Sequence, residues 1–218
     1  MLFDLSFSRD GTRDREDWRI NNRIVVQDAD GRPDEEVSTE SWENHKRLNN
    51  SVIVDLFQGQ FKNTLKCLSC RHVSVKFDAF MFLSLPIPES GRPSIQQCLE
   101  RFSKTEKLTG SDRWTCPKCK KARDAERTLQ LWRVPPLLII HLKRFKSEGR
   151  WKSKLQTNVT YPLEGLDLRE YTKGPRKQPP YRLIAVTNHQ GASTDSGHYT
   201  AFCRRASTWV RYGHITLR

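Results

Sequence analysis

Cys67-Leu68-Ser69-Cys70 and Cys116-Pro117-Lys118-Cys119 are two Cys-x-x-Cys units, and their pairing decides how the rest of the chain is read. Each short turn aims two sulfurs at one point, and two such knuckles supply the four thiolates of a structural Zn²⁺ site. Between Cys70 and Cys116 lie 45 residues, longer than the gap in a compact zinc finger. The expected metal therefore pins together two hairpin tips that are distant in the chain, with a small subdomain between them. Four unrelated reduced thiols and a disulfide pair are the alternatives. Nothing in the sequence suggests the secretory route that a disulfide needs.

Outward from the knuckles, the composition sets limits. The chain has 218 residues, 38 Lys+Arg against 25 Asp+Glu, a formal charge of +13 and 36% hydrophobic residues. That length fits one domain of ordinary size. The positive balance permits an acidic or nucleic-acid partner, but the cations are scattered along the chain and read as solvated faces. Six cysteines, no signal peptide and no long apolar run point to a reducing, cytoplasmic compartment and to no membrane span.

Residues 1–38 are mixed charge with few apolar anchors and read as a linker unable to offset its ordering entropy, apart from a short strand at Asn22–Val26. A helix is expected from an N-cap at Thr39 through Leu56, stopped by Gly59. Phe61–Cys67 and Val73–Met81 alternate as strands flanking the first knuckle, and Ser84-Leu85-Pro86-Ile87-Pro88 is expected to break the ladder. Ser94 and Gln97 form a capping box for a short helix whose apolar face is Ile95, Cys98, Leu99 and Phe102. Strands follow at Thr128–Trp132, at the apolar run Leu137–Leu142, read as central and doubly buried, and at Trp151–Val159 and Tyr181–Asn188. The last two strands, Gly197–Arg204 and Ser207–Tyr212, close a hairpin. Gly149 marks a turn, and 190–197 is a polar loop. About eight strands and two helices make the class α+β with an antiparallel sheet.

His198 follows that loop, where Gly197 lets the backbone pass close to another chain and an imidazole can serve as a general base. The residues alone leave this open, since a lone His is more often a hydrogen-bonded structural group. His141, inside an apolar strand, reads as a satisfied core histidine. His72 is a spare ligand that four cysteines make unnecessary.

Taken together, Cys67/Cys70, Cys116/Cys119, Leu138-Ile139-Ile140-His141-Leu142-Lys143-Arg144-Phe145 and Ser196-Gly197-His198-Tyr199-Thr200-Ala201-Phe202 resemble, in order, the signatures of the ubiquitin-specific proteases. The resemblance covers about residues 40–212. Leu56–Lys62, Arg101–Thr109 and Gly149–Gln156 are most similar to the ubiquitin isopeptidase Y type, an endosomal member. The resemblance implies a papain-like cysteine peptidase shaped as a hand, with an antiparallel β palm, zinc-ribbon fingers that grip ubiquitin, and a thumb carrying the nucleophilic Cys. It implies cleavage of the isopeptide bond at ubiquitin's C-terminal Gly. By this mapping Zn²⁺ is structural, His198 is the general base, and Gly197 and Tyr199 lie beside the ubiquitin tail. Ubiquitin and ubiquitinated proteins are the implied partners, with endosomal sorting partners, an endosomal or nuclear location and no nucleic acid.

Two departures stand out. Met1–Phe57 contains no cysteine, and after Asp195 there is no Asp, Asn or Glu, so the nucleophile and the residue that orients the imidazole are both missing from the family pattern. Most of the thumb is expected to be missing too. The expected organisation is a linker at 1–38, partial fingers and palm at 39–212, and a divergent tail at 213–218. The competing readings are a non-catalytic ubiquitin-binding module and a basic zinc-ribbon nucleic-acid binder.

Overall fold

The structure is a computed structural model that describes residues 28–89, 91–148, 151–176, 178–191 and 197–217. Residues 1–27, with the strand expected at 22–26, and the turn expected at Gly149 lie outside the described residues.

Among the described residues the first helix, α1, runs Asp34–Asn49, so part of the segment expected to be linker through residue 38 is helical. Asp34, Glu35 and Glu36 occupy its first turn, where the helix dipole favours acids. Val37, Ser38 and Trp42 are buried. Thr39 is not the cap. It sits within the helix, and its Oγ1 donates to Glu35 O at 2.7 Å. The expected single helix is also two, because Ser51 caps a second helix, α2 (Val52–Phe57), by accepting from Val54 N.

Gly59 opens β1 (Gly59–Cys67) rather than ending a helix. A Cβ there would collide with Arg133 O and the Phe80 ring, so close approach of a neighbouring strand explains the residue. β1 pairs antiparallel with β2 (Val73–Phe80) around the first knuckle, with Lys66 opposite Val73. On its other side it pairs with β7 (Ala125–Arg133), with a register shift at Gln60/Phe61. A short β4 (Glu106–Leu108) pairs with β7 and completes a four-stranded sheet in the order β2-β1-β7-β4. The second knuckle is the turn of a separate two-stranded hairpin, β5 (Trp114–Cys116) with β6 (Lys121–Arg123).

Phe82–Pro86 is a strand, β3, and it takes in the first half of Ser84–Pro88, the stretch expected to break the ladder. It pairs in parallel with β8 (Ile139–Lys143), an exception to the antiparallel pattern. Pro86 ends the strand, where its missing N–H costs no ladder bond. β8 is half-buried, with β3 as its one strand partner among the described residues, so the apolar run Leu137–Leu142 does not show the two-sided burial expected of a central strand. α3 (Ile95–Phe102) carries the expected capping box, with both reciprocal bonds between Ser94 and Gln97 formed. Cys98 and Leu99 are fully buried in the main core with Leu83, Leu85 and Leu131.

β9 (Phe145–Glu148) and β10 (Trp151–Lys154) form a hairpin, shorter than the strand expected to reach Val159. The remaining strands make a three-stranded antiparallel sheet, β11 (Ala185–Gln190), β12 (Gly197–Arg205) and β13 (Thr208–Leu217), in that order. β13 continues five residues past the expected boundary at Tyr212. The shift between Tyr199/Ala201 and β13 places an extra residue near Gly213, so a bulge stands where a tail was expected.

Candidate functional site: a four-sulfur metal centre and a histidine strand

β1 and β2 lead into the first knuckle, β5 and β6 into the second, and the two tips meet. Leu68 N donates to Asp124 O at 3.0 Å, tying the first knuckle to the strand after the second. The Sγ atoms of Cys67, Cys70, Cys116 and Cys119 all lie within 4.8 Å of one another, and Cys70 Sγ is 3.6 Å from Cys116 Sγ. Zn–S bonds of about 2.3 Å put tetrahedral sulfurs roughly 3.8 Å apart, so the cluster fits one tetrahedral ion. Cys67 and Cys116 are completely buried, all six cysteines are free, and the donor set is the soft one that selects thiophilic metals.

The electrostatics agree with a cation-binding cluster. N–H groups of Cys70 and Ser69 donate to Cys67 Sγ and hold its pKa down to about 7. The Cys70 thiol beside Cys119 pushes that group up to about 12. One sulfur ionises readily while its neighbour resists, and a full set of thiolates at this spacing needs a positive ion. The knuckles share one backbone device. Arg71 (φ 62) and Lys120 (φ 53) each follow a second cysteine in a left-handed conformation. Arg71 N donates to Cys67 O at 3.0 Å and Lys120 N to Cys116 O at 2.8 Å. His72 supplies no ligand, its ring lying parallel to Trp114 at 6.3 Å.

His198 sits at the start of β12, its side chain exposed, opposite Gln190 on β11 and Thr216 on β13. Gly197 has φ +152, and a Cβ there would run into the His189 ring and Gln190 O. The close approach expected at Gly197 is therefore to β11 of the same chain. Tyr199 packs on His189, ring centroids 4.7 Å apart. Cys203 lies five positions along β12, on the opposite face from His198 and about 16 Å away at strand rise. β11 and β12 stay in register from Ala185/Cys203 to Gln190/His198, so no bulge turns that cysteine back. His141 is held at Nδ1, 3.3 Å from Ser84 Oγ, and burial, with Lys143 nearby, lowers its pKa. Both fit the core role read from the sequence.

A wedge beside His198 escaped the sequence reading. Lys154 Nζ donates to His189 O (2.9 Å) and Gly191 O (2.8 Å) and lies 3.1 Å from His189 Nδ1. Phe145 meets the His189 ring edge-on at 5.9 Å. The β9–β10 hairpin is thereby locked to the end of β11 and to Gly191 beyond it. A lysine in a Lys-Ser-Lys strand gives no local signal of a partner 35 residues away.

Comparison with known proteins fixes the family. The sequence pattern of the ubiquitin carboxyl-terminal hydrolases (UCH) matches residues 12–217. The chain belongs to the ubiquitin carboxyl-terminal hydrolase family. It is 38% identical over 198 residues to ubiquitin carboxyl-terminal hydrolase 2 of Gallus gallus, covering 86% of this chain and 55% of that protein. It is 39% identical over 195 residues to the Homo sapiens hydrolase 2, covering 86% and 32% respectively. Against Homo sapiens hydrolase 21 the identity is 36% over 175 residues, 78% of this chain and 31% of that one. Among solved structures, the yeast SAGA DUBm with an Sgf73 mutant superposes with a TM-score of 0.65 at 26% identity, covering 85% of this chain and 42% of that chain. The Ubp8/Sgf11/Sus1/Sgf73 DUB module bound to ubiquitin aldehyde gives 0.60 at 25% identity, with coverages of 84% and 43%. This hydrolase-family chain thus spans about half or less of the length of the proteins it matches.

Proposed function

We propose that the chain is the fingers and palm of a ubiquitin-specific protease, a thiol-dependent hydrolase of isopeptide bonds at the C-terminal Gly of ubiquitin. The observation that carries this reading is the pairing, in a member of this family, of a four-sulfur fingertip with a separate strand that presents Gly197-His198-Tyr199. Cys67, Cys70, Cys116 and Cys119 hold Zn²⁺. An ion with four sulfur ligands keeps no open position for water, so its contribution is structural. It fixes the geometry of the tips that embrace ubiquitin.

His198 is the general base. It takes the proton of a cysteine thiol, the thiolate attacks the isopeptide carbonyl, and the same proton passes to the departing lysine amine, leaving a thioester that water hydrolyses. Gly197 and Tyr199 line the path of the ubiquitin tail, and the Lys154–His189 wedge holds the start of the adjoining loop. We expect none of the six cysteines here to serve as the nucleophile. Four form the metal cluster, Cys98 is buried against the core, and Cys203 faces away from His198. No carboxylate or amide side chain follows Asp195 to orient the imidazole. We therefore expect these 218 residues alone to bind ubiquitin without cleaving it. Free cysteines throughout support a reducing, cytoplasmic setting, with endosomal or nuclear pools and endosomal sorting partners as the finer reading. No described helix is long and apolar enough to cross a membrane.

The test is a titration of labelled ubiquitin, with a ubiquitin fluorogenic substrate in parallel. Saturable binding and no turnover are expected. Absence of binding up to millimolar ubiquitin would overturn the grip, and turnover mapped to Cys203 would overturn the account of catalysis.

A further inference from the structure

The positive charge that looks scattered along the sequence is gathered by the fold. Residues 66–72 and 113–124, the two knuckles and their flanks, hold seven cations and a single acid, so +6 of the chain's +13 sits on the fingertip. The lone acid, Asp124, is already engaged by Arg113 Nε at 2.7 Å. Arg71, Lys118, Lys120, Lys121 and Arg123 are exposed, and among the described residues none of them has an ion-pair partner. A tetrathiolate divalent metal would offset part of this, yet a surplus of about four positive charges remains.

The same tip offers a sheet edge that is open at residues 121–123, one residue short of Asp124, whose O accepts from Leu68 N. β5 and β6 form a two-stranded sheet with no further strand beside it among the described residues, and all three residues of β6 are exposed. Lys121 and Arg123 share one face of the strand, while the other carries the small Ala122.

We propose that this fingertip docks an extended acidic polypeptide segment, which adds to β6 as a third strand and sets alternate carboxylates against Lys121 and Arg123. Main-chain hydrogen bonds supply the pairing and the charges supply the selection. A short lysine-bearing edge ordinarily repels other edges. Here that repulsion becomes specificity, because it is relieved only by a strand carrying opposite charge. A nucleic acid would be drawn by the same cations, but the exposed strand that carries them is only three residues long. The tip's aromatic rings, His72 and Trp114, lie parallel to one another instead of forming an open stacking platform. The proposal stands apart from the protease reading and needs neither His198 nor ubiquitin.

The experiment uses the zinc-loaded chain and a labelled peptide of alternating Glu and Thr. Saturable binding is expected, with the amide resonances of residues 121–123 shifting most and no binding by the Gln-for-Glu peptide. The double variant Lys121→Glu/Arg123→Glu should weaken the peptide roughly tenfold or more, with zinc content unchanged. Charge reversal at Arg169 and Lys173, away from the tip, should leave binding intact. Equal affinity in the fingertip variant would overturn the proposal. So would tighter binding of a single-stranded oligonucleotide of equal charge with the β6 amides unmoved by the peptide.

Discussion

Arg71 and Lys120 hold left-handed backbone conformations that cost a residue with a Cβ about 1 kcal/mol, because only there can their N–H groups reach back to the first cysteine carbonyl of each knuckle. Arg71→Gly or Lys120→Gly should therefore raise the stability of the metal-loaded protein by a few tenths to about 1 kcal/mol, part of the gain being lost to the freer unfolded chain. A urea midpoint that falls in either variant would contradict this. His141 offers a pH test. Burial lowers its pKa, so between the folded and unfolded values the unfolded chain binds the extra proton. Stability is then full above the unfolded value of about 6.5 and declines as the pH drops below it. Urea midpoints at neutral and mildly acidic pH should differ more for the native chain than for His141→Gln. Lys154→Met would leave two carbonyls and the His189 ring without their ammonium donor. It should cost about 1–3 kcal/mol by urea unfolding, with Lys154→Arg recovering part. The cysteines, His141 and the Ser94 cap were legible from local pattern. The wedge was not, because its members come from three strands with no shared periodicity.

The elements that could be read were those whose cause is local. Ser94 and Gln97 announce α3 because each side chain answers the other's orphan N–H. Ser94→Ala should lower stability by about 1 kcal/mol, measured as a shift in the denaturation midpoint. The alternating runs around the first knuckle gave β1 and β2 for the same reason. Elements decided by distant partners were misread. Asp34–Ser38 looks like charged linker until Val37 meets Phe77 and Trp132 in a small second core with Ala29, and until Lys62 reaches across to Asp34. The proline-bearing β3 needed β8 alongside it, and the apolar run that supplies β8 gave no sign that, among the described residues, it would have one strand partner rather than two.

For the molecule as a whole, the fold separates two sites. The four-sulfur cluster sits at the tip of the β2-β1-β7-β4 sheet, and His198 lies on the β11-β12-β13 sheet. The face of that second sheet bearing His198 also carries an apolar groove of about 280 Å³, lined by Tyr161, Leu163, Val186, Phe202 and Trp209 among others. Leu163 is 53% exposed and Tyr161 44%. Open apolar surface of this kind favours association, so the isolated chain should self-associate at micromolar concentration, and Trp209→Glu should shift it toward monomer in light scattering coupled to gel filtration. A native chain that stays monomeric would show that the groove is too shallow to drive contact.

Everything at this scale depends on the fingertip being closed by an ion, since the knuckles are joined by no disulfide and by few backbone bonds. Metal binding of this type is coupled to folding. The direct measurement is metal content of the reduced, purified protein together with its unfolding curve before and after a strong chelator. About one zinc per chain, a clear drop in the unfolding midpoint on chelation, and loss of both in Cys70→Ser are the predicted results. Metal-free protein whose unfolding curve is unmoved by the chelator would contradict the account.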